Sequence, residues 1–161
     1  LLHPPGADDH PATPANALSC VLRVQARDGR SVLLTGDIGQ AQEAALIERY
    51  GQALRAQVLL VPHHGSRGSS SAAFIAAVAP GTALVQAGYR NRFGHPAPET
   101  LARYRALGVE LLRSDRCGAW TWQASGASHC ERDAAARYWH DRGGDAALPV
   151  PSATAAAARA P

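Results

Sequence analysis

Three short stretches of this chain bring together side chains able to bind a metal or move a proton. Val58-Leu59-Leu60-Val61 runs into Pro62-His63-His64-Gly65-Ser66, so an apolar strand breaks at a proline and delivers two imidazoles. Upstream, Ser31-Val32-Leu33-Leu34 runs into Thr35-Gly36-Asp37, and downstream lies Asn91-Arg92-Phe93-Gly94-His95-Pro96. A loop at the end of a core strand suits reactive groups, because the strand fixes the backbone while the loop stays accessible. A carboxylate and imidazoles in such loops form a plausible set of metal ligands.

Each residue carries alternatives. Asp37 can bridge divalent cations with Gly36 allowing close backbone approach, or it can be a turn or helix-capping aspartate. His63 and His64 are adjacent, so their side chains point in different directions. One is expected to bind metal, with His63, nearer the strand, favoured. The other, His64, would then orient that ligand or touch substrate. Ser66, Ser69, Ser70 and Ser71 flank a helix start together with Arg67 and Gly68. They read equally as an anion site or as simple capping. His95, held between glycine and proline, is expected to contact substrate. His10, His129 and His140 fall in loop or tail and are given no role. His3, at the end of Leu1-Leu2, sits on the stub of a possible strand.

The elements that must hold these loops follow from pattern and punctuation. Residues 4–17 carry four prolines and form a loop. Ser19 to Val24 and Ser31 to Leu34 read as a hairpin across Arg27-Asp28-Gly29-Arg30. Gln40 to Tyr50 reads as an amphipathic helix that Gly51 ends. After the Val58 strand, the serine run caps a helix through Val78, which Pro80-Gly81 terminates. Thr82 to Gln86 is a strand, Pro98 opens a helix ending near Leu107-Gly108, and Val109 to Leu112 and Ala119 to Gln123 are final strands. The order predicts an α/β layered domain over residues 1–125, followed by a weakly structured Ala/Pro/Gly-rich tail over 126–161. A helix over Glu131 to Asp141 is the one element that tail suggests.

Composition limits the alternatives. A chain of 161 residues is one domain or part of one, and no apolar run is long enough to span a bilayer. The net charge of +3 rests on arginine alone, since lysine is absent. Such a mild charge does not by itself define a nucleic-acid binder. Arginine does favour bidentate phosphate contacts, which draws attention to Arg67, Arg90 and Arg92 beside the loops. Cys20, Cys117 and Cys130 lack the spacing of a thiolate zinc site. Cys20 is expected to be buried in its strand, and a Cys117–Cys130 pairing in an oxidising compartment is left open.

Four of these segments, in this order, resemble a known family. Asn16-x-x-Ser19-x-Val21-Leu22-Arg23, Leu33-Leu34-Thr35-Gly36-Asp37-Ile38, His63-His64-Gly65-Ser66 with Ser69-Ser70-Ser71, and Asn91-x-Phe93-Gly94-His95-Pro96 are similar to the C-terminal metallo-β-lactamase-like domain of the ComEC competence proteins, which internalise DNA. Ser114-Asp115-x-x-Gly118 fits a further segment of that family. The resemblance covers about residues 1–123 and implies the second half of an αββα sandwich with a dinuclear metal site. It implies that Asp37 is the bridging carboxylate, that His63 is a terminal ligand and that His3 is a further ligand position. His64 and His95 would act at the reacting phosphate, and Ser66, Ser70 and Arg92 would contact the DNA.

Two divalent ions, Mn or Zn, would drive phosphodiester hydrolysis of incoming DNA. The partners implied are DNA, the membrane channel of the same protein and its other half-domain. The implied location is the inner membrane, with this segment extracytoplasmic. The His-x-His-x-Asp-His motif that opens such sites does not occur in the chain, so it is expected upstream and the chain alone is expected to be inactive. The alternatives are a non-catalytic domain that guides DNA or docks to the channel, and a metallo-hydrolase acting on another ester.

Overall fold

A computed structural model describes residues 1–4, 14–135 and 137. Its centre is a five-stranded mixed sheet in the order β1-β2-β3-β4-β5. Strands β1 (Leu22–Gln25) and β2 (Ser31–Leu34) form the antiparallel hairpin expected from Asp28-Gly29, with Leu22 opposite Leu34 and Val24 opposite Val32. Strands β3 (Val58–Leu60), β4 (Thr82–Val85) and β5 (Glu110–Arg113) follow in parallel with β2. His3 extends the edge beyond β1 through an antiparallel bridge to Val21, in keeping with a strand stub.

The parallel crossovers are helical, as such connections require. Helix α1 (Gln40–Tyr50) spans the predicted residues; Gln42 accepts a hydrogen bond from the Gly39 amide at 3.2 Å and Gly51 ends it. Helix α2 (Ala72–Val78) starts at Ser71, whose hydroxyl accepts from the Phe74 amide. Helix α3 (Pro98–Ala106) begins on Pro98, where the missing amide hydrogen costs nothing.

The three helices cover one face of the sheet. Leu33, Leu59, Ala83 and Val85 from that face pack with Leu46 of α1, Phe74, Ile75 and Val78 of α2, and Tyr104 of α3. The opposite face is also apolar but far less covered. Leu22, Val24 and Leu34 are exposed there, and Val32, Leu60, Leu84 and Leu112 are only half-buried.

After β5, the short helix α4 (Ser114–Cys117) leads to a small hairpin of β6 (Trp120–Trp122) and β7 (Ser128–Cys130). Trp120 borders a cleft with Leu60, Leu84 and Leu112, and the Arg30 guanidinium lies 5.0 Å from the centre of Trp122, so the hairpin shields part of the open face. Regular structure thus continues past residue 125, through β7 and the short helix α5 (Glu131–Ala134). The predicted helix over 131–141 is seen only in that first turn, and the rest of the tail, Arg137 apart, lies outside the described residues.

The structure also corrects Cys20, which is exposed rather than buried. Val21, not Cys20, turns inward on that edge and is fully buried. Cys117 and Cys130 form a disulfide that ties α4 to β7.

Candidate metal and phosphodiester site

Because β2, β3 and β4 run parallel, their C-terminal ends open on one side, and the three expected loops meet there. Three backbone or side-chain links fix their mutual positions. Thr35 donates its hydroxyl to the Leu60 carbonyl at 2.7 Å. The His63 amide donates to the Gly36 carbonyl at 3.0 Å, and the Ala97 amide donates to the Gly65 carbonyl at 2.8 Å. Asp37 is steadied in turn by its own amide, which donates to the Ser19 hydroxyl at 3.1 Å.

His63 and His64 both adopt left-handed backbone, with φ of 49° and 54°. For residues with a Cβ this is sparsely populated and costs of order 1 kcal/mol each. Such strain persists only where surrounding contacts impose it, and here they do. Gly65 follows at φ 77°, and a Cβ there would meet the Pro96 Cβ at 2.7 Å. The double turn aims the two imidazoles at different partners.

His64 is the ring that reaches Asp37: Nε2 stands 3.4 Å from Oδ1. Its Nδ1 lies 3.0 Å from the Gln86 carbonyl. A carbonyl only accepts, so Nδ1 carries a hydrogen, and the neutral ring presents the bare Nε2 lone pair to a carboxylate. Two acceptors facing each other call for a positive charge between them. A proton on Nε2 supplies it, and so does a metal ion bound by both. The separation is within ion-pair reach, and it equally suits the second case, since Zn–N and Zn–O bonds of about 2.0–2.2 Å place two donors on one ion at such a distance. A backbone carbonyl behind the distal nitrogen is the usual support of a metal-binding histidine.

His63 instead accepts a hydrogen bond at Nε2 from the Asn16 side-chain amide at 3.3 Å. Its ring stands edge-on to His95, centroids 6.1 Å apart. Of the two adjacent histidines it is therefore His64, and not His63, whose ring stands beside Asp37. His95 stacks on Phe93, and its Nδ1 is buried with no hydrogen-bond partner among the described residues. Burial, with smaller contributions from His63 and His64, lowers its pKa below the ordinary histidine value. His64, Asn91, Phe93 and His95 line one cleft of about 490 Å³ beside the Asp37–His64 pair.

The other expected residues lie elsewhere. His3 directs Nε2 to the Ala17 carbonyl at 2.8 Å. Among the described residues no three His, Cys, Asp or Glu side chains group as metal ligands. Asp37 and His64 bring together one oxygen and one nitrogen donor, a mixed donor pair of the kind Mn and Zn accept.

Ser66 and Ser70 are buried, not presented to solvent. The Ser66 hydroxyl donates to Ser69 at 3.3 Å, and the Ser70 hydroxyl accepts from Tyr104 at 3.1 Å. Arg92 is exposed, with its guanidinium 4.9 Å from the Phe93 ring centre.

Glu43 is the residue that pattern alone misses. It lies on α1, fully buried, and its carboxylate accepts from the Ser70 and Ser71 amides at the start of α2. Arg103 of α3 grips the same loop from outside, donating to the Ser69 carbonyl at 2.8 Å. The serine run signalled that such a helix start existed. Nothing local signalled which carboxylate would serve it.

No family model matches the chain. It is similar to curated proteins named for competence and recombination. It is 46% identical over 104 residues to Competence protein ComA of Neisseria gonorrhoeae, covering 65% of this chain and 15% of that protein. It is 37% identical over 90 residues to ComE operon protein 3 of Bacillus subtilis, covering 56% of this chain and 12% of that protein. It is 37% identical over 95 residues to Recombination protein 2 of Haemophilus influenzae, covering 56% of this chain and 11% of that protein. The chain thus spans only a small part, 11% to 15%, of the length of these relatives. Over the segment it shares with them, the chain is similar to proteins named for competence and for recombination.

Proposed function

We propose that this chain is part of a competence protein for DNA uptake, in a metallo-β-lactamase-like domain that hydrolyses phosphodiesters of incoming DNA. The observation that carries the reading is the Asp37–His64 pair. With His64 Nδ1 donating to the Gln86 carbonyl, Nε2 faces the Asp37 carboxylate at 3.4 Å, a separation at which one divalent cation binds both. Relatives named for competence supply the biological setting.

When bound, two divalent ions would lower the pKa of a water and stabilise the leaving oxygen. The remaining work falls to the chain's own residues. Asp37 and His64 hold one side of the site, and His63 stands beside them with Nε2 held by Asn16. The ring of His95 borders the cleft where the scissile phosphate lies. Arg92 meets the backbone phosphates. Ser66 and Ser70, being buried, act by shaping the loop.

The open apolar face of the sheet supports the sandwich, because Leu22, Val24 and Leu34 there form the kind of surface a second sheet covers. The Cys117–Cys130 disulfide supports an oxidising, extracytoplasmic setting beside the membrane channel. Among the described residues no helix is long and apolar enough to cross a membrane.

One observation favours a second reading. With no three-ligand group among the described residues, the domain could guide DNA or dock to the channel without turnover. Transformation of the bacterium that carries this protein separates the two. Under the catalytic reading, Asp37→Ala and His64→Ala in the chromosomal gene abolish uptake of a marker while protein level is unchanged. Normal transformation in both variants sinks the catalytic reading.

A further inference from the structure

The loop between β4 and α3 carries two exposed aromatic side chains. Tyr89 is 51% exposed and Phe93 67% exposed. Scattered exposed apolar residues are ordinary, but these two share one loop and each carries its own cation. The Arg90 guanidinium lies 5.1 Å from the Tyr89 ring centre and that of Arg92 lies 4.9 Å from Phe93. From Gly88 to His95 there are two arginines and no acidic residue.

The loop is also held in shape. The Asn91 side chain donates to the His95 carbonyl at 2.6 Å and accepts from the His95 amide at 3.0 Å. The Phe93 ring lies nearly parallel to the His95 ring, 19° apart, and both line the cleft that His64 shares. Aromatic faces beside fixed cations, on a preorganised loop at the mouth of a cleft, match the needs of an unpaired nucleotide. Its base stacks and its phosphate is neutralised. Bases in a duplex already have their faces occupied, so the match is to a single strand.

We infer that Tyr89 and Phe93 form a stacking platform for the bases of single-stranded DNA on the loop that borders the cleft lined by His64 and His95. The inference rests on the DNA reading above and adds the residues that recognise the bases. Phe93 receives the base next to the scissile phosphate and Tyr89 one further along, while Arg90 and Arg92 neutralise the intervening phosphates. Sequence preference is slight, because every base offers a face.

The test uses the full chain, a fluorescein-labelled thymidine oligomer and an abasic oligomer with the same number of phosphates. Fluorescence anisotropy at low salt reads both affinities. Phe93→Ala is expected to weaken the thymidine oligomer about tenfold and Tyr89→Ala somewhat less, each leaving the abasic oligomer within about twofold. Phe93→Trp is expected to keep wild-type affinity, which excludes misfolding as the cause. If wild type binds neither oligomer, the DNA reading falls and the platform with it. If wild type binds both oligomers equally and Phe93→Ala changes neither, DNA binding stands and the platform is overturned. Equal loss on both oligomers also overturns it. A parallel arm uses phosphatidylglycerol vesicles. Vesicle binding that depends on Phe93, with oligomer binding unchanged, overturns the platform in favour of a membrane surface.

Discussion

His64 and Asp37 meet at 3.4 Å although they arise from different strand ends, and the meeting depends on a histidine placed in left-handed backbone. Strand β2 delivers the carboxylate and β3 the ring, and the link from the His63 amide to the Gly36 carbonyl locks the two loops together.

Gly65 sets the approach of the histidine loop to Pro96. Replacing it with alanine puts a Cβ 2.7 Å from the Pro96 Cβ at a backbone φ of 77°. Gly65→Ala is expected to cost roughly 1–3 kcal/mol in urea unfolding, from steric crowding together with the left-handed backbone. A stability equal to wild type would mean that the loop is not pinned against Pro96.

Glu43 satisfies two amides at the start of α2 from inside the protein. Glu43→Ala leaves those donors without their carboxylate and is expected to destabilise the chain by roughly 2–4 kcal/mol. Glu43→Gln, which keeps an acceptor oxygen, is expected to lose less. Chemical denaturation of the pair checks the order, and equal losses would contradict it.

His95 predicts the direction of a pH effect. Its pKa in the folded chain is lowered from the ordinary 6.5, chiefly by burial, so the unfolded chain takes up the proton first as pH falls. The stability it contributes is therefore full above about pH 6.5 and is lost as pH drops through that value towards the lowered one. Unfolding midpoints for wild type and His95→Gln across this window test the sign. Wild type is expected to fall more steeply on acidification, and parallel curves would contradict the assignment.

Cys117 and Cys130 are 13 residues apart, and cross-linking so short a loop is worth about 3 kcal/mol in the chain-entropy account. Reduction is expected to lower the denaturation midpoint of wild type and to leave that of Cys117→Ser/Cys130→Ser unchanged. An unchanged midpoint for reduced wild type would show that the bridge contributes nothing.

Much of the architecture was legible because its signals are local. Gly51 and Pro98 mark a helix end and a helix start, Ser71 caps α2, and the apolar runs before Asp37 and His63 are the strands they resemble. What escaped depends on distant contacts. Which of two adjacent histidines meets Asp37 cannot be read from strand alternation, because both leave the extended region. Ser70 is taken inward by Glu43 and Tyr104, residues 27 and 34 positions away. Cys20 faces out because Val21 fills the core position on that edge. The structure brings the Asp37 carboxylate and the His64 imidazole together, and among the described residues no three such side chains group around them.

The most direct test is cleavage of end-labelled single-stranded DNA by the longer protein that contains this chain, with Mn or Zn added and with Asp37→Asn and His64→Ala in parallel. Metal-dependent cleavage by wild type that falls at least about a hundredfold in both variants, with their folding intact, is the predicted result. A folded, metal-loaded wild type that leaves the DNA uncut, or variants that cut as well as wild type, would contradict the assignment of this site.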